Sequence, residues 1–206
     1  MELSRQMLLL TAENYGSYFL HITKMKYLLF FFISIVFWSC TQEARLRKKI
    51  SEIAEHRINL CLDSMMVYHY ANDSCCMSQK NEAPYKCVVY VDTTDCSFCM
   101  LKRLQLWNDY IPYEDAGKIS LFFIVSSRKN EAYSLNRQLK HISLRHDVYI
   151  DTCQCFMRRN SFFPKEKIFH TFLLNRDNHV VLVGDPIGNA KIENVLLKKI
   201  GVNVRL

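Results

Sequence analysis

Glycine and proline are scarce in this chain, at five and four of 206 residues. That scarcity excludes collagen-like and low-complexity architectures. No internal repeat is visible, which excludes solenoids and propellers. No run of five like charges occurs either. The net charge is +7, but acids and bases are interspersed, so the surface reads as soluble and basic, with nucleic acid not expected as a partner. The longest apolar stretch, centred on Tyr27–Val36, is shorter than the roughly 20 residues a membrane-spanning helix needs. With 50% hydrophobic residues the chain can still build one well-filled core.

Cysteine, by contrast, is abundant: nine residues. In a reducing cytosol such a count suggests metal, and in an oxidising compartment it suggests disulfides or thiol chemistry. The N-terminal region favours the second. Met25-Lys26 is followed by about a dozen apolar residues and then Ser39-Cys40, after which Thr41-Gln42-Glu43 turns polar. This is the layout of a secretory signal at 25–39. Residues 1–24 add nothing to it, and translation is expected to start at Met25, with 1–24 a gene-model extension. The Ser39-Cys40 junction resembles the lipobox of bacterial lipoproteins, although Phe37 and Trp38 stand where smaller or aliphatic residues are usual. The resemblance implies acylation of Cys40 and a chain tethered in the bacterial cell envelope, facing the periplasm or the exterior. An uncleaved signal anchor, with Cys40 a bystander, gives the same placement.

After the anchor, Leu46, Ile50, Ile53, Ala54, Ile58 and Cys61 recur at helical spacing over 45–62, a stalk or a helix packed on the domain. With the polar linker to residue 80, this defines a 40–80 lead-in. From residue 81 the elements alternate. A strand over 85–91 leads to a helix over 96–110. A buried strand follows at 118–125, then a helix marked by Ala132, Leu135, Leu139 and Ile142, a short strand at 147–151 and a helical scrap around Phe156–Asn160. Two strands flank Arg176-Asp177-Asn178 as a hairpin, and Ile192, Val195, Leu196 and Ile200 mark a closing helix. The order predicts an α/β fold: a mixed sheet with helices on both faces and an N-terminal helical lead-in.

The informative motif is Cys96-Ser97-Phe98-Cys99 at the junction of the first strand and its helix. Disulfide exchange needs a thiolate that attacks and a second thiol that resolves the mixed disulfide. Two cysteines three apart at a helix start supply both, with Cys96 the nucleophile and Cys99 the resolver. The positive end of the helix favours the Cys96 thiolate, Asp95 disfavours it, and Lys102 and Arg103 offset part of that.

This arrangement resembles the thioredoxin-like superfamily, in particular its membrane-tethered extracytoplasmic bacterial branch. The likeness covers residues 81–206. It rests on Val89-Tyr90-Val91 before the CxxC, on Leu121-Phe122-Phe123-Ile124-Val125, and on the Thr171-Phe172-Leu173-Leu174-Asn175-Arg176-Asp177-Asn178-His179-Val180-Val181 hairpin. It implies a thioredoxin-like domain acting as a thiol-disulfide oxidoreductase without a cofactor. Its partners would be cysteine-containing exported proteins and an upstream thiol-disulfide protein. Three positions depart from the family. His170 stands where a cis-proline facing the CxxC is usual, Asp95 replaces a tryptophan, and Phe98 replaces a common proline. His170 could tune Cys96, join Cys96 and Cys99 in a metal site, or be inert. The departures keep two other functions open: a redox-inactive binding module and a Cys/His metal-binding lipoprotein.

The other cysteines read as follows. Cys87 is an apolar filler in the first strand, and Cys61 the same on the leading helix. Cys75, Cys76, Cys153 and Cys155 are open to several pairings or to a second exchange site. His141 and His146 have no partner at ligand spacing and read as surface residues.

Overall fold

The computed structural model describes residues 26, 42–70, 83–92 and 97–202. Cys40, its apolar leader and the 1–24 segment fall outside these. The chain divides into two units, Met1–Lys49 and Ile50–Leu206. In the first, residues 42–49 are helical, with 42–48 exposed, and Glu43 pairs with Arg47 at 3.7 Å, one turn on. No helix among the described residues is long and apolar enough to cross a membrane.

The second unit is built on one six-stranded sheet, in the order β1-β4-β3-β2-β5-β6. Its strands are β1 (Met66–Tyr68), β2 (Lys86–Asp92), β3 (Ser120–Ser126), β4 (Val148–Asp151), β5 (Thr171–Leu174) and β6 (Val180–Val183). β2 runs parallel to β3 and β3 parallel to β4, whereas β5 is antiparallel to β2 and to β6, and β1 is antiparallel to β4. Val, Ile and Phe fill the central strands because both faces are covered, and all of β3 is buried.

Alternation along each strand sorts these residues into two cores. Val89, Val91, Leu121, Phe123 and Val125 point to one side. They meet Leu101, Leu104 and Trp107, then Leu135 and Leu139, and Leu196. These come from α2 (Ser97–Leu104) and the 3-10 turns after it, from α4 (Ala132–Leu139) and from α6 (Ala190–Lys199). Val88, Tyr90, Phe122, Ile124 and Phe172 point to the other side and meet Ile53, Ile58, Phe156 and Phe163. Ile53 belongs to helix α1 (residues 42–55) and Phe156 to α5 (Cys155–Arg159). Helices therefore cover both faces, as the sequence order predicts. The remaining helix, α3 (Ile111–Asp115), follows the 3-10 segment after α2.

The hairpin between β5 and β6 turns where expected. Asn178 takes φ 64°, which asparagine tolerates better than most residues, and the Asn175 side chain accepts from His179 N at 2.9 Å. Parallel β2 and β3 with α2 between them, flanked by the antiparallel β5–β6 hairpin, make this a thioredoxin-like fold.

Within the 40–80 lead-in, Ile53, Ile58, Leu60 and Met65 are buried in the second core, and the second unit begins at Ile50. Two expectations are corrected. Helix α1 ends at residue 55, so Cys61 is not on a helix face. It sits in a loop with φ 55°, pinned through its backbone N to Asn59 Oδ1 at 3.0 Å. On α6, Val195 is exposed, and the buried positions are Leu196 and Leu197.

Candidate functional site

β2 is driven to the centre of the sheet by Cys87-Val88-Val89-Tyr90-Val91, and its C-terminal end delivers the chain to α2. Cys99 lies in the opening turn of α2 and is exposed. Cys96 and Asp95 fall just before the helix, outside the described residues. Downstream, Leu101 and Leu104 are buried in the first core and fix the rotation of α2, so the polar side of its first turns faces outward.

A cleft opens between this helix and the start of β5. It is lined by Asp92 at the end of β2, by Met100 and Arg103 of α2, and by Lys167, His170 and Thr171 on the far side. His170, the position before Thr171, thus shares a cleft with Met100 and Arg103 of α2. His170 is 7% exposed, and its Nε2 has no hydrogen-bond partner among the described residues. Its carbonyl accepts from Tyr90 N at 2.8 Å, which ties it to β2 two residues before that strand ends.

Burial holds the His170 imidazole below its usual pKa, and Lys167 adds to that. Asp92, the Lys165 backbone and Glu166 oppose it. The ring is therefore neutral at neutral pH, and it forms part of the wall of a mostly apolar cleft.

Arg103 does not serve the motif in the way its sequence position suggested. Its Nε and Nη2 donate to Asp185 Oδ2 at 3.2 and 2.8 Å, and Nη2 also donates to Ile187 O at 2.8 Å. The charge is spent locking α2 to the loop after β6, so offsetting Asp95 falls less to Arg103. Lys102 is exposed on the same helix.

Cys87 is buried in β2 and its thiol is pushed far up, mainly by burial, in keeping with a packing role. Cys153 and Cys155 flank Gln154 at the start of α5, with Cys153 exposed and Cys155 buried, and both are free thiols. Cys75 and Cys76 lie outside the described residues. No group of three or more His, Cys, Asp or Glu residues that could hold a metal occurs among the described residues.

His141 is exposed, as expected, but His146 is not. It is 7% exposed, and its Nε2 lies 2.8 Å from Glu114 Oε2 while Nδ1 lies 2.9 Å from Asp147 O. Glu114 also accepts from Leu121 N at 2.9 Å through Oε1. The pair links α3 to β3 and to the segment entering β4. The partner lies 32 residues away, which local spacing does not reveal.

No family model and no curated protein matches the chain. Among solved structures it is similar to the thioredoxin domain of a thiol-disulfide oxidoreductase from Bacteroides vulgatus, with 12% identity, 60% of this chain and 84% of that chain covered, and a TM-score of 0.44. It is also similar to a thioredoxin-like protein from Bacteroides caccae, with 13% identity, 75% of this chain and 53% of that one covered, and a TM-score of 0.45. A third is the bacterioferritin comigratory protein of Xanthomonas campestris, with 12% identity, 58% and 82% coverage and a TM-score of 0.41.

Proposed function

We propose that this chain is a thiol-disulfide oxidoreductase that exchanges disulfides through Cys96 and Cys99. The observation that carries the reading is the exposed Cys99 in the first turn of α2, at the end of a buried parallel strand and beside the cleft that holds His170.

In the reductive direction the Cys96 thiolate attacks a substrate disulfide, forming a mixed disulfide and releasing one substrate thiolate. Cys99 then attacks Cys96, expels the second substrate thiolate and leaves a Cys96–Cys99 disulfide. The two electrons come from the dithiol, so the reaction uses no cofactor. We assign to the neutral His170 ring of that cleft the role of tuning the Cys96–Cys99 pair. Asp95 opposes thiolate formation at Cys96.

The substrates we assign are cysteines of exported proteins, with a second thiol-disulfide protein resetting the pair. The signal at 25–39 and acylation of Cys40 would tether the domain in the envelope. Catalysis of insulin reduction by dithiothreitol tests the activity. The full chain is expected to accelerate it, Cys96→Ser to fall to background, and Cys99→Ser to accumulate mixed disulfides. A Cys96→Ser protein as active as the parent would end the proposal.

A further inference from the structure

A second pair of sulfurs lies away from the CxxC cleft, and the exchange reaction makes no use of it. The Cys61 Sγ lies 3.4 Å from Asn59 Oδ1 and 3.6 Å from the Cys155 carbonyl oxygen, so it sits against the Cys155 residue. The residues are 94 apart in sequence. Both are free thiols, Cys61 half-buried and Cys155 buried.

The surroundings hold the pair in place from both sides. On one side, Asn160 is fully buried and clasps the chain just before Cys61. Its Oδ1 accepts from Asn59 N at 2.9 Å and its Nδ2 donates to Asn59 O at 2.8 Å and Phe156 O at 2.7 Å. Asn59 Oδ1 in turn accepts from Cys61 N at 3.0 Å. On the other side, the buried Asp151 carboxylate accepts from Cys155 N at 2.8 Å and Phe156 N at 2.9 Å, fixing the start of α5. Cys61 and Gln154, at φ 55° and 51°, are two of the three non-glycine residues with positive φ among the described residues. That backbone costs energy at each position.

We infer that Cys61 and Cys155 form a redox-responsive crosslink that closes when the protein meets a low-molecular-weight disulfide. A small oxidant is favoured because Cys61 is only partly exposed and Cys155 is buried. Cys61 attacks the small disulfide, one of its sulfurs bonds to Cys61 and the other leaves as a thiol. Cys155 then attacks the Cys61 sulfur and releases the second small thiol. One S–S bond is broken and one is made; the pair loses two electrons, and its two protons leave on the two small thiols. Burial and the neighbouring Cys155 push the Cys61 thiol up to about 12, so Cys61 rests protonated and the crosslink forms slowly near neutral pH and faster as pH rises. The bond ties the segment ahead of β1 to α5 across a long loop, which restricts the unfolded chain strongly.

The test is oxidised glutathione added to the reduced full chain, followed by acid quench, alkylation and tandem mass spectrometry of the digest. A Cys61–Cys155 linkage is expected, with a thermal midpoint higher by roughly 5 °C or more. Cys61→Ser removes both effects, and Cys153→Ser keeps both. Cys61 is only half-buried, so its serine variant is expected to fold even if Cys155→Ser does not. In a Cys96→Ser Cys99→Ser background the linkage still forms, which separates this result from that of the exchange assay. A Cys153–Cys155 linkage, or Cys61 recovered alkylated after oxidation, overturns the inference.

Discussion

Tyr90 and His170 are joined twice. The Tyr90 backbone N donates to the His170 carbonyl at 2.8 Å, and the two rings meet edge to face with centroids 5.1 Å apart. One residue belongs to the strand that leads into the CxxC and the other immediately precedes β5, so the two walls of the cleft are tied to each other. Burial raises the Tyr90 phenol to about 12, although its hydrogen bond with Ser126 pulls the other way. The phenol therefore stays protonated near neutral pH.

His170→Phe should flatten the acid side of the stability curve. The folded protein holds His170 below the usual 6.5, so the unfolded chain takes up the proton more readily. Stability from this group is complete above about pH 6.5 and is lost as pH falls through that value and on toward the lower folded pKa. Urea denaturation at pH 7.5 and 5 is expected to show a smaller difference for the phenylalanine variant than for the parent. At pH 7.5 the variant should lose about 0.5–1.5 kcal/mol, because Nε2 gives up no hydrogen bond but the ring's bond to the Lys165 backbone is removed. Equal pH slopes in the two proteins would contradict this.

Glu114→Ala should destabilise the fold by about 2–4 kcal/mol, since it strands both Leu121 N and a buried imidazole. Glu114→Gln should cost less, because an amide oxygen can still accept one of the two bonds. Chemical denaturation reads both, and a loss under about 0.5 kcal/mol for the alanine variant would be inconsistent with the buried pair.

Much of the fold was legible because local signals agreed with one another. Val88-Val89-Tyr90-Val91 and Leu121 through Val125 read as buried strands. The cysteines three apart mark the start of α2, and Asn178 supplies the turn residue of the last hairpin. The misreadings have a common physical cause. The helical spacing of 45–62 carries on past residue 55, yet the chain leaves the helix there. Arg57 bridges to His179 and Asn160 captures Asn59, both from far along the sequence. His146 looked solvated because Glu114 is not at any local spacing. Cys61 looked like a helix-face filler because Cys155 is 94 residues away. At the site, the sequence placed Cys99 and His170 at the same end of the sheet, but it gave no hint that Arg103 is held by Asp185.

Asn160→Ala should lower stability by about 2–4 kcal/mol. It removes two hydrogen bonds to Asn59 and one to Phe156 from a fully buried site. Asn160→Asp is expected to be as harmful, since a carboxylate cannot donate to Asn59 O or Phe156 O. Thermal unfolding of the two variants checks this, and an aspartate variant with the parent's midpoint would contradict the role assigned to Nδ2.

The most direct test of disulfide exchange is the reduction potential of the Cys96–Cys99 couple in the full chain, read by alkylation and mass spectrometry across glutathione and dithiothreitol buffers. The account predicts a reversible two-electron couple between about −120 and −270 mV, the range in which exchange proteins work. A pair that remains oxidised below about −300 mV, as structural disulfides do, or that never forms a bond, would contradict it.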